Sequence, residues 1–447
     1  MLSRLRHPLA AVGTTTALTL PWVYVWATGG TGGLSHLQTV AITGVAVLGA
    51  SFMLAWAAET AEKDVPRAFA LAVLAVLAVA PEYAVDALYA WTAGANAGTE
   101  SGMQAANLAV ANMTGANRIL IGLGWSGIAL FTVYRAGSSA DPAVVEKSGF
   151  LKNKIQIDRD LATEIAFLLA ATAFAFFVPI GGGIGMVDTV VLVGLYALYI
   201  GIVIRGEVDE HDEQVGVPAY FQSYSKLPRI ATVLGLFAYS GGMIYTAVHP
   251  FAHGLEELGL QLGIPPFFMI QWLAPLASES PELIVVAYLV NKARSTAGFN
   301  ALISSKLNQW TLLIGTLAVV YSIAAGSIGA LPFDEKQQAE IWITAAQSFF
   351  ALGVLANFEI SVREAVVLLV LFVSQVAAEF WIIQTMADAQ AHELSMLILY
   401  AYTAVYVVLG VGLFVARRDE LRGIYDRTAA NARNALPGGS EQVEHAD

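Results

Sequence analysis

Long apolar stretches separated by short polar loops recur along the whole chain of 447 residues. Many of them hold about 18 apolar residues or more, enough for an α-helix to cross a bilayer core of roughly 30 Å. Residues 68–80 are apolar at every position, whereas the strands of a membrane β-barrel alternate between apolar and polar residues. The pattern therefore predicts an all-α polytopic membrane protein, whose helices satisfy their own backbone hydrogen bonds.

The same pattern predicts about twelve transmembrane helices. Their expected boundaries are residues 9–28, 36–59, 66–91, 103–134, 159–179, 184–205, 230–249, 264–291, 297–325, 339–357, 363–386 and 393–416. The composition agrees with this assignment, because 57% of the residues are hydrophobic and only 13% are charged. An ordinary soluble globule is excluded by these values.

Basic residues alternate between the two sides of the predicted membrane helices. All but three of the 23 Lys and Arg residues fall in the N-terminus, in every second loop and in the C-terminus. The other three are Lys336, in an intervening loop, and Arg118 and Lys306, inside predicted helices. Because cytoplasmic loops carry an excess of Lys and Arg, we expect a multi-pass protein of the cell membrane with both termini in the cytoplasm.

Several functional classes are excluded by what the sequence lacks. The chain has no cysteine, so neither a disulfide nor a thiolate metal site is possible. Its net charge of −12 argues against nucleic-acid binding. It contains no Walker phosphate loop, no nucleophile–base set and no nucleotide-binding fingerprint. We therefore expect neither an enzyme nor a nucleotide-driven pump, no cofactor, and the lipid bilayer and inorganic cations as partners.

A Pro-Glu pair occurs twice inside predicted helices, as Pro81-Glu82 and Pro281-Glu282. The first helix enters from the expected cytoplasmic side and the second from the outer side. Similar motifs in opposite orientations are typical of an inverted-topology repeat. We expect two five-helix repeats flanked by one extra helix at each end. In chain order the parts are 1–35 (extra helix), 36–205 (first repeat), 206–229 (cytoplasmic linker), 230–386 (second repeat) and 387–447 (extra helix and cytoplasmic tail).

The prolines are expected to break these helices and to expose backbone oxygens. Without a proline N–H, the carbonyl four residues earlier loses its partner, at Leu77 in the first motif and at Gln271 and Ala277 in the second. Carbonyl, carboxylate and amide oxygens together suit a hard cation such as calcium or sodium, or a competing proton. The alternative interpretation is a simple kink, with the glutamate in a salt bridge to Arg118 or Lys306.

The helix that follows each Pro-Glu motif carries polar residues at membrane depth. They are Asn107, Asn112, Thr114, Asn117 and Arg118 in the first, and Asn300, Ser304, Ser305, Lys306, Asn308 and Gln309 in the second. Polar groups of this kind can hydrogen-bond across packed helices. Their position beside each glutamate favours a coordination shell. Ionisable groups inside a membrane are a functional hypothesis by default.

At these residues the chain resembles a divergent member of the cation/calcium exchanger superfamily, the sodium/calcium and calcium/proton antiporters. The second alpha-repeat motif, at residues 277–315, follows the family pattern without a gap. The first motif, at residues 77–124, fits with a longer connection that reaches either 106–112 or 111–117.

The resemblance implies that Glu82 and Glu282 are the central carboxylates that bind the metal ion. Ser278, Ser305 and one asparagine, Asn117 or Asn112, would be supporting oxygen ligands. The resemblance also implies alternating access, in which two helices rock against a core that holds the ions.

The departures from the family pattern concern the ligands themselves. Ala78 and Val79 stand where Thr and Ser are expected, and Glu279 stands where a Ser is usual, which adds a carboxylate to the ion-binding set. Lys306 takes the place of an Asn or Asp ligand, and Arg118 is a second built-in cation.

Two explanations of Lys306 remain open. In one, its ammonium is a tethered substitute for a bound sodium or proton and pairs with Glu279 or Glu282 when the substrate leaves. In the other, the sodium sites have decayed. We favour an exchanger that is coupled to protons or has a reduced stoichiometry.

Other ionisable residues extend or surround the motifs. Asp86 lies one helical turn beyond Glu82 and is a candidate for the ion path. We expect Glu379 to form a structural salt bridge or hydrogen bond. His249, His253 and Glu257 have the spacing of a helical metal site, but we expect Pro250 and Gly254 to weaken the helix there.

The function expected from these residues is a secondary active antiporter that exchanges Ca²⁺, or a related cation, for Na⁺ or H⁺. A Na⁺/H⁺ exchanger on the same scaffold is one alternative. The other is a non-transporting scaffold or cation sensor, in which Arg118 and Lys306 permanently neutralise Glu82 and Glu282.

Overall fold

The computed structural model describes residues 7–64, 80–136, 141–145, 151, 153–205 and 215–435. Most of these residues are helical. In chain order the α-helices are α1 (Pro8–Ala27), α2 (His36–Ala61), α3 (Ala80–Ala95), α4 (Glu100–Ile119), α5 (Ser126–Ala136), α6 (Ala162–Ala175), α7 (Met186–Arg205), α8 (Val217–Gln222), α9 (Lys226–Leu262), α10 (Pro266–Asn291), α11 (Ser295–Asn308), α12 (Ile314–Ala325), α13 (Glu335–Leu355), α14 (Val362–Thr385), α15 (Asp388–Ala416) and α16 (Arg418–Asn434).

The all-α, multi-pass character expected from the sequence is confirmed. In the described part of the chain, nine helical stretches are long and apolar enough to cross a membrane. Helices α1 and α13 occupy two further predicted segments but are not among the nine. The predicted segment 66–91 lies partly outside the described residues, and so do the Leu77 carbonyl, Ala78 and Val79.

Prolines do not interrupt the helices in which the structure places them. Helix α10 runs from residue 266 to 291 through Pro275 and Pro281, and α9 continues through Pro250 to Leu262. The break expected in the second motif is therefore wrong, and so is the weakened helix around Pro250. Each proline removes one hydrogen bond, while the neighbouring turns keep theirs. The predicted segment 230–249 is therefore only part of a longer helix, α9, which has 37 residues.

The contacts of the chain define two compact units. Unit 1 comprises Met1–Tyr89 with Asp209–Glu282, and unit 2 comprises Ala90–Val208 with Leu283–Asp447. In unit 1, α2 packs along α9 at positions where glycines allow close approach. A Cβ added at Gly44 would lie 2.9 Å from the ring of Phe251, and one added at Gly254 would lie 3.0 Å from Val40.

An ion pair holds the ends of α2 and α9 together in unit 1. Arg229 donates from Nε and Nη2 to the two carboxylate oxygens of Asp64, at 2.6 Å each. This bidentate pair lowers the pKa of Asp64 below its usual value, mainly through the hydrogen bond. Short helix α8 covers the adjacent part of α2, where the side chains of Val217 and Phe221 pack on Met53.

Two helices of unit 2 change their winding at corresponding places. Helix α4 passes into a π-helical segment at Leu120–Trp125 before α5, and α11 does so at Gln309–Leu313 before α12. The first π segment begins three residues after Asn117, and the second begins three residues after Lys306. Single π-helical turns of this kind occur frequently at functional sites.

Short strands in the loops are a minor correction to an all-helical expectation. Strands β1 (Val144–Val145), β2 (Lys154–Gln156) and β5 (Glu359–Ser361) form an antiparallel sheet, in which Ile155 pairs with Ile360. Strands β3 (Gly183–Ile184) and β4 (Leu331–Pro332) form a second antiparallel pair. The described 3₁₀ turns include Arg159–Leu161 and Val178–Gly181, which flank α6.

Close packing of the first π segment can be tested with a pair of glycine substitutions. A Cβ at Gly122 would lie 2.3 Å from Cγ of Phe372 on α14, whereas a Cβ at Gly127 would meet nothing within 4 Å. Gly122→Ala should destabilise the protein by about 1–3 kcal/mol through overpacking. Gly127→Ala should be neutral or stabilising by up to about 1 kcal/mol, because alanine has the higher helix propensity. Thermal unfolding in detergent measures both, and equal melting temperatures would contradict this packing.

Candidate cation-binding site

A cluster of carboxyl groups in unit 1 centres on Glu82. Glu82 lies in the first turn of α3 and is 2% exposed. Its Oε1 accepts a hydrogen bond of 2.7 Å from Oγ of Ser278 on α10, and its carboxyl group also shares a hydrogen bond with Glu279. Glu282 and Asp86 are close enough for their charges to act on Glu82. The structure thus brings together five residues that the sequence marked as candidates.

The bond between Glu82 and Glu279 has a chemical requirement. An ionised carboxylate only accepts hydrogen bonds, so two carboxyl groups can share one only if one of them carries a proton. Two carboxylates in one site repel each other, and this repulsion is relieved by a proton or by a cation. The pair is therefore a place where a proton and a metal ion compete.

The local sequence explains why these oxygens point to one place. Ser278 and Glu282 are one turn apart on α10 and share a face. Pro281 leaves the carbonyl of Ala277, next to Ser278, without its helical N–H partner. Ser278 is buried and Glu282 is partly exposed, so the carboxyl-rich face reaches from the interior towards a surface of unit 1.

Unit 2 contributes amide oxygens and an ammonium group. Asn112 and Asn117 on α4 and Lys306 on α11 are fully buried. Nζ of Lys306 donates to Oδ1 of Asn117 at 2.7 Å and to its backbone oxygen at 3.2 Å. The same ammonium lies 4.3 Å from the centre of the Trp310 ring, in a cation–π contact. Lys306 thus receives from Asn117 the oxygen contacts that a bound cation would receive. Ser305 beside it is partly buried.

Arg118 is engaged in a buried network within unit 2. Its guanidinium forms a salt bridge of 3.0 Å with Glu340 on α13 and also donates to Gln347, at 3.2 Å, and to Gln375 on α14. Gln375 in turn donates to Glu379, which forms a salt bridge with Lys336. The role expected for Glu379 is confirmed. Two cations and two carboxylates balance the charge of this network.

Glu340, Gln347 and Gln375, which bind Arg118, were not among the residues singled out from the sequence, whereas Glu379 was. Glu340 and Gln347 are seven residues apart on α13, and Gln375 and Glu379 are four apart on α14. Each pair lies on one face of its helix. A search for polar stripes on otherwise apolar helices would have found both pairs.

The histidine site considered from the sequence gains no support. His249 and His253 are neighbours on α9, with ring centres 6.4 Å apart. Among the residues that the structure describes, however, no third His, Cys, Asp or Glu residue joins them in an arrangement that holds a metal ion.

The network around Arg118 makes a stability prediction. Glu340→Gln should lower the free energy of unfolding by about 3–5 kcal/mol, because it leaves the buried guanidinium of Arg118 without its counter-ion. The double variant Arg118→Met/Glu340→Leu should recover most of this loss, since no isolated charge remains. Glu359→Gln is the matched control. The wild-type pair of Glu359 with Lys154 is partly exposed and should contribute only about 0–1 kcal/mol to the free energy of unfolding. Thermal unfolding of all four proteins is the measurement, and equal losses for Glu340→Gln and Glu359→Gln would refute the interpretation.

Comparisons with known proteins agree with the geometry. The chain matches the sequence family described as "Sodium/calcium exchanger protein" over residues 35–205 and 232–381. It is similar to the crystal structure of the H⁺/Ca²⁺ exchanger CAX, with a TM-score of 0.82 and 40% identity over 95% of this chain and 98% of that one.

A more distant structure shares the fold alone. The Ca²⁺/H⁺ antiporter protein YfkE matches with a TM-score of 0.57 and 12% identity, over 83% of this chain and 98% of that one. No curated protein sequence gives a match. With a family match over more than half of its length and a 40% identical relative along nearly all of it, the chain belongs to the sodium/calcium exchanger protein family.

Proposed function

We propose that the protein is a secondary active antiporter of the cell membrane that exchanges Ca²⁺, or a related divalent cation, for protons by alternating access. The observation that carries the proposal is the buried carboxyl pair of Glu82 and Glu279, in which Glu82 also accepts a hydrogen bond from Ser278. A calcium ion that binds these oxygens displaces the shared proton, and a returning proton favours release of the calcium ion.

The chemistry of the ligands fits a divalent cation. Ca²⁺ takes six to eight oxygen ligands from carboxylates, carbonyls and amides in flexible geometry. We assign Glu82 and Glu282 as its carboxylate ligands, with Glu279 and Ser278 beside them. Within unit 2, Ser305 and an asparagine of α4 are proposed as further oxygen ligands of the transported cation.

Asn112 is the better candidate for that asparagine and Asn117 the second choice, because the ammonium of Lys306 takes up both oxygens of Asn117. The π segments begin three residues after Asn117 and three residues after Lys306, so these two residues occupy corresponding places in their helices. This correspondence supports the inverted-repeat organisation. The two ranges of the family match, 35–205 and 232–381, nearly coincide with the expected repeats of residues 36–205 and 230–386. Within this proposal the twelve-helix topology keeps both termini in the cytoplasm.

Coupling to protons rather than sodium follows from Lys306. Its ammonium already takes up oxygens of Asn117 that a mobile sodium ion would need. A permanent cation there leaves fewer places for sodium and makes the proton the remaining exchange partner. The 40% identical relative carries the name H⁺/Ca²⁺ exchanger, which supports the same choice.

The alternatives account for less of the geometry. A Na⁺/H⁺ exchanger would use the same carboxyl pair. Na⁺, however, carries one positive charge fewer than Ca²⁺ and so compensates the two carboxylates less completely. A non-transporting scaffold needs Arg118 to neutralise Glu82. The guanidinium of Arg118 is instead bound by Glu340 and two glutamines, whereas Glu82 is bound by Ser278 and Glu279.

Uptake of radiolabelled Ca²⁺ into proteoliposomes tests the proposal. We expect an imposed proton gradient to drive uptake and an imposed sodium gradient to leave it near background. Glu82→Gln should lower the proton-driven rate by about tenfold or more, while Glu359→Gln, on a partly exposed pair, should keep it. Uptake driven by sodium alone would refute proton coupling. Absence of uptake under both gradients, with the protein folded, would favour the scaffold.

Replacement of Lys306 tests its role as a built-in cation. Lys306→Asn should preserve the fold and change the coupling, because the oxygens of Asn117 become available to a mobile monovalent cation. We expect Ca²⁺ uptake to respond to a sodium gradient and to depend less on pH. Lys306→Met removes the charge but keeps the size, so it separates the loss of the ammonium from the introduction of an amide side chain. Lys154→Gln is the control. Unchanged uptake and pH dependence in both Lys306 variants would show the idea to be wrong.

A further inference from the structure

A buried amide side chain in unit 1 meets no hydrogen-bond partner among the residues that the structure describes. Gln271 on α10 is 0% exposed, and within the described residues neither its Oε1 nor its Nε2 has a hydrogen-bond partner. Its backbone carbonyl also lacks the usual helical donor, because the residue four positions on is Pro275. Polar groups at membrane depth are rarely left unsatisfied, since no water or lipid there can bond to them. Gln271 is therefore an anomaly that calls for a ligand.

The bond between Ser278 and Glu82 shows which way Gln271 points. Gln271 precedes Ser278 by seven residues, or two turns, so the two side chains project from nearly the same face of α10. That face meets α3 at Glu82. In the proposed topology α3 and α10 run in opposite directions. Gln271 therefore lies on the outer side of Glu82, about 10 Å away along the helix axis.

The face of α3 that continues outward from Glu82 carries Asp86 and Tyr89. Asp86 follows Glu82 by one turn, about 6 Å, and Tyr89 follows it by two. Asp86 is 0% exposed, and its charge acts on Glu82. On the outer side of Glu82, α3 thus carries a buried carboxylate, and α10 carries a buried amide for which the described residues offer no partner. A carboxylate, an amide oxygen and a backbone carbonyl are ligands of a hard cation.

A partly exposed carboxylate stands where this space meets the surface of α9. The hydroxyl of Tyr89 donates to Oε1 of Glu256 at 2.7 Å, which fixes Glu256 against α3, one turn beyond Asp86 along that helix. The charged and titratable groups that act on Glu256 are His253, His249 and Glu257 from its own helix and Tyr89 from α3. Unlike Asp86 and Gln271, both histidines are exposed.

We propose that Asp86 and Gln271 form an outer subsite for the transported divalent cation, between Glu256 at the outer surface and Glu82 in the centre. The Asp86 carboxylate supplies the charge, and Gln271 supplies its side-chain and backbone oxygens. This inference rests on the proposed transport function. A cation that moves inward exchanges water for oxygen ligands in two stages, and the intermediate stage lowers the barrier between solution and the central site.

The test uses the full-length protein in proteoliposomes and measures the KM for Ca²⁺ presented on each face. Gln271→Leu and Asp86→Asn should raise the outer-face KM about tenfold, which corresponds to loss of one ligand interaction. The KM on the opposite face should stay within about twofold. Gln384→Leu, an exposed position on α14, is the matched control. Gln271→Glu should lower the outer-face KM, because it adds a charge to the subsite.

Binding of Ca²⁺ in detergent separates this inference from the proposed function. In Glu82→Gln the outer subsite should retain weak Ca²⁺ binding, seen as a rise of the melting temperature with Ca²⁺, and adding Gln271→Leu should abolish that rise. Transport by the wild type with unchanged outer-face KM in Gln271→Leu and Asp86→Asn would overturn the subsite and leave the antiporter intact. If the wild type transports no Ca²⁺, the thermal shift alone decides, and its persistence in the double variant Glu82→Gln/Gln271→Leu would overturn the subsite.

Discussion

A charge buried among apolar helices must be compensated, and the rest of this structure depends on that requirement. Three buried ionisable groups meet it in three ways. Arg118 has a counter-ion, Glu340. Lys306 has the neutral oxygens of Asn117 and the face of an indole ring. Glu82 has the hydroxyl of Ser278 and, beside it, the carboxyl group of Glu279. The cost of leaving such a group in hydrocarbon is several kcal/mol, which makes each partner part of the fold.

The manner of compensation separates structural charges from functional ones. Arg118, Glu340, Glu379 and Lys336 form a balanced set bridged by glutamine side chains, and nothing needs to enter or leave for this set to stay neutral. The carboxyl groups around Glu82 change their total charge when they bind or release a proton. A group whose neutrality depends on a mobile ion suits a transporter, whereas a closed salt-bridge network suits a rigid support.

Irregular helix geometry accompanies both kinds of site. Prolines in α10 free the carbonyls of Gln271 and Ala277 without interrupting the helix, and π segments follow Asn117 and Lys306. These local changes present backbone oxygens or reorient side chains at membrane depth while the rest of each helix keeps its hydrogen bonds. Polar chemistry is thereby placed inside the apolar layer at a small number of positions.

The sequence by itself determined the helical membrane class, most helix positions, the Pro-Glu motifs and the presence of two isolated cations, Arg118 and Lys306, because apolar run length and isolated charges are local signals. From the sequence, helix α9 is expected to end just before Pro250. A proline signals the loss of one hydrogen bond locally, whereas the packing that offsets this loss involves distant residues. Only the tertiary structure decided the partners. Glu82 meets Ser278 across 196 positions and Arg118 meets Glu340 across 222, and no spacing rule connects residues that far apart. Which charge a buried group meets depends on how distant helices pack, and that depends on the whole chain.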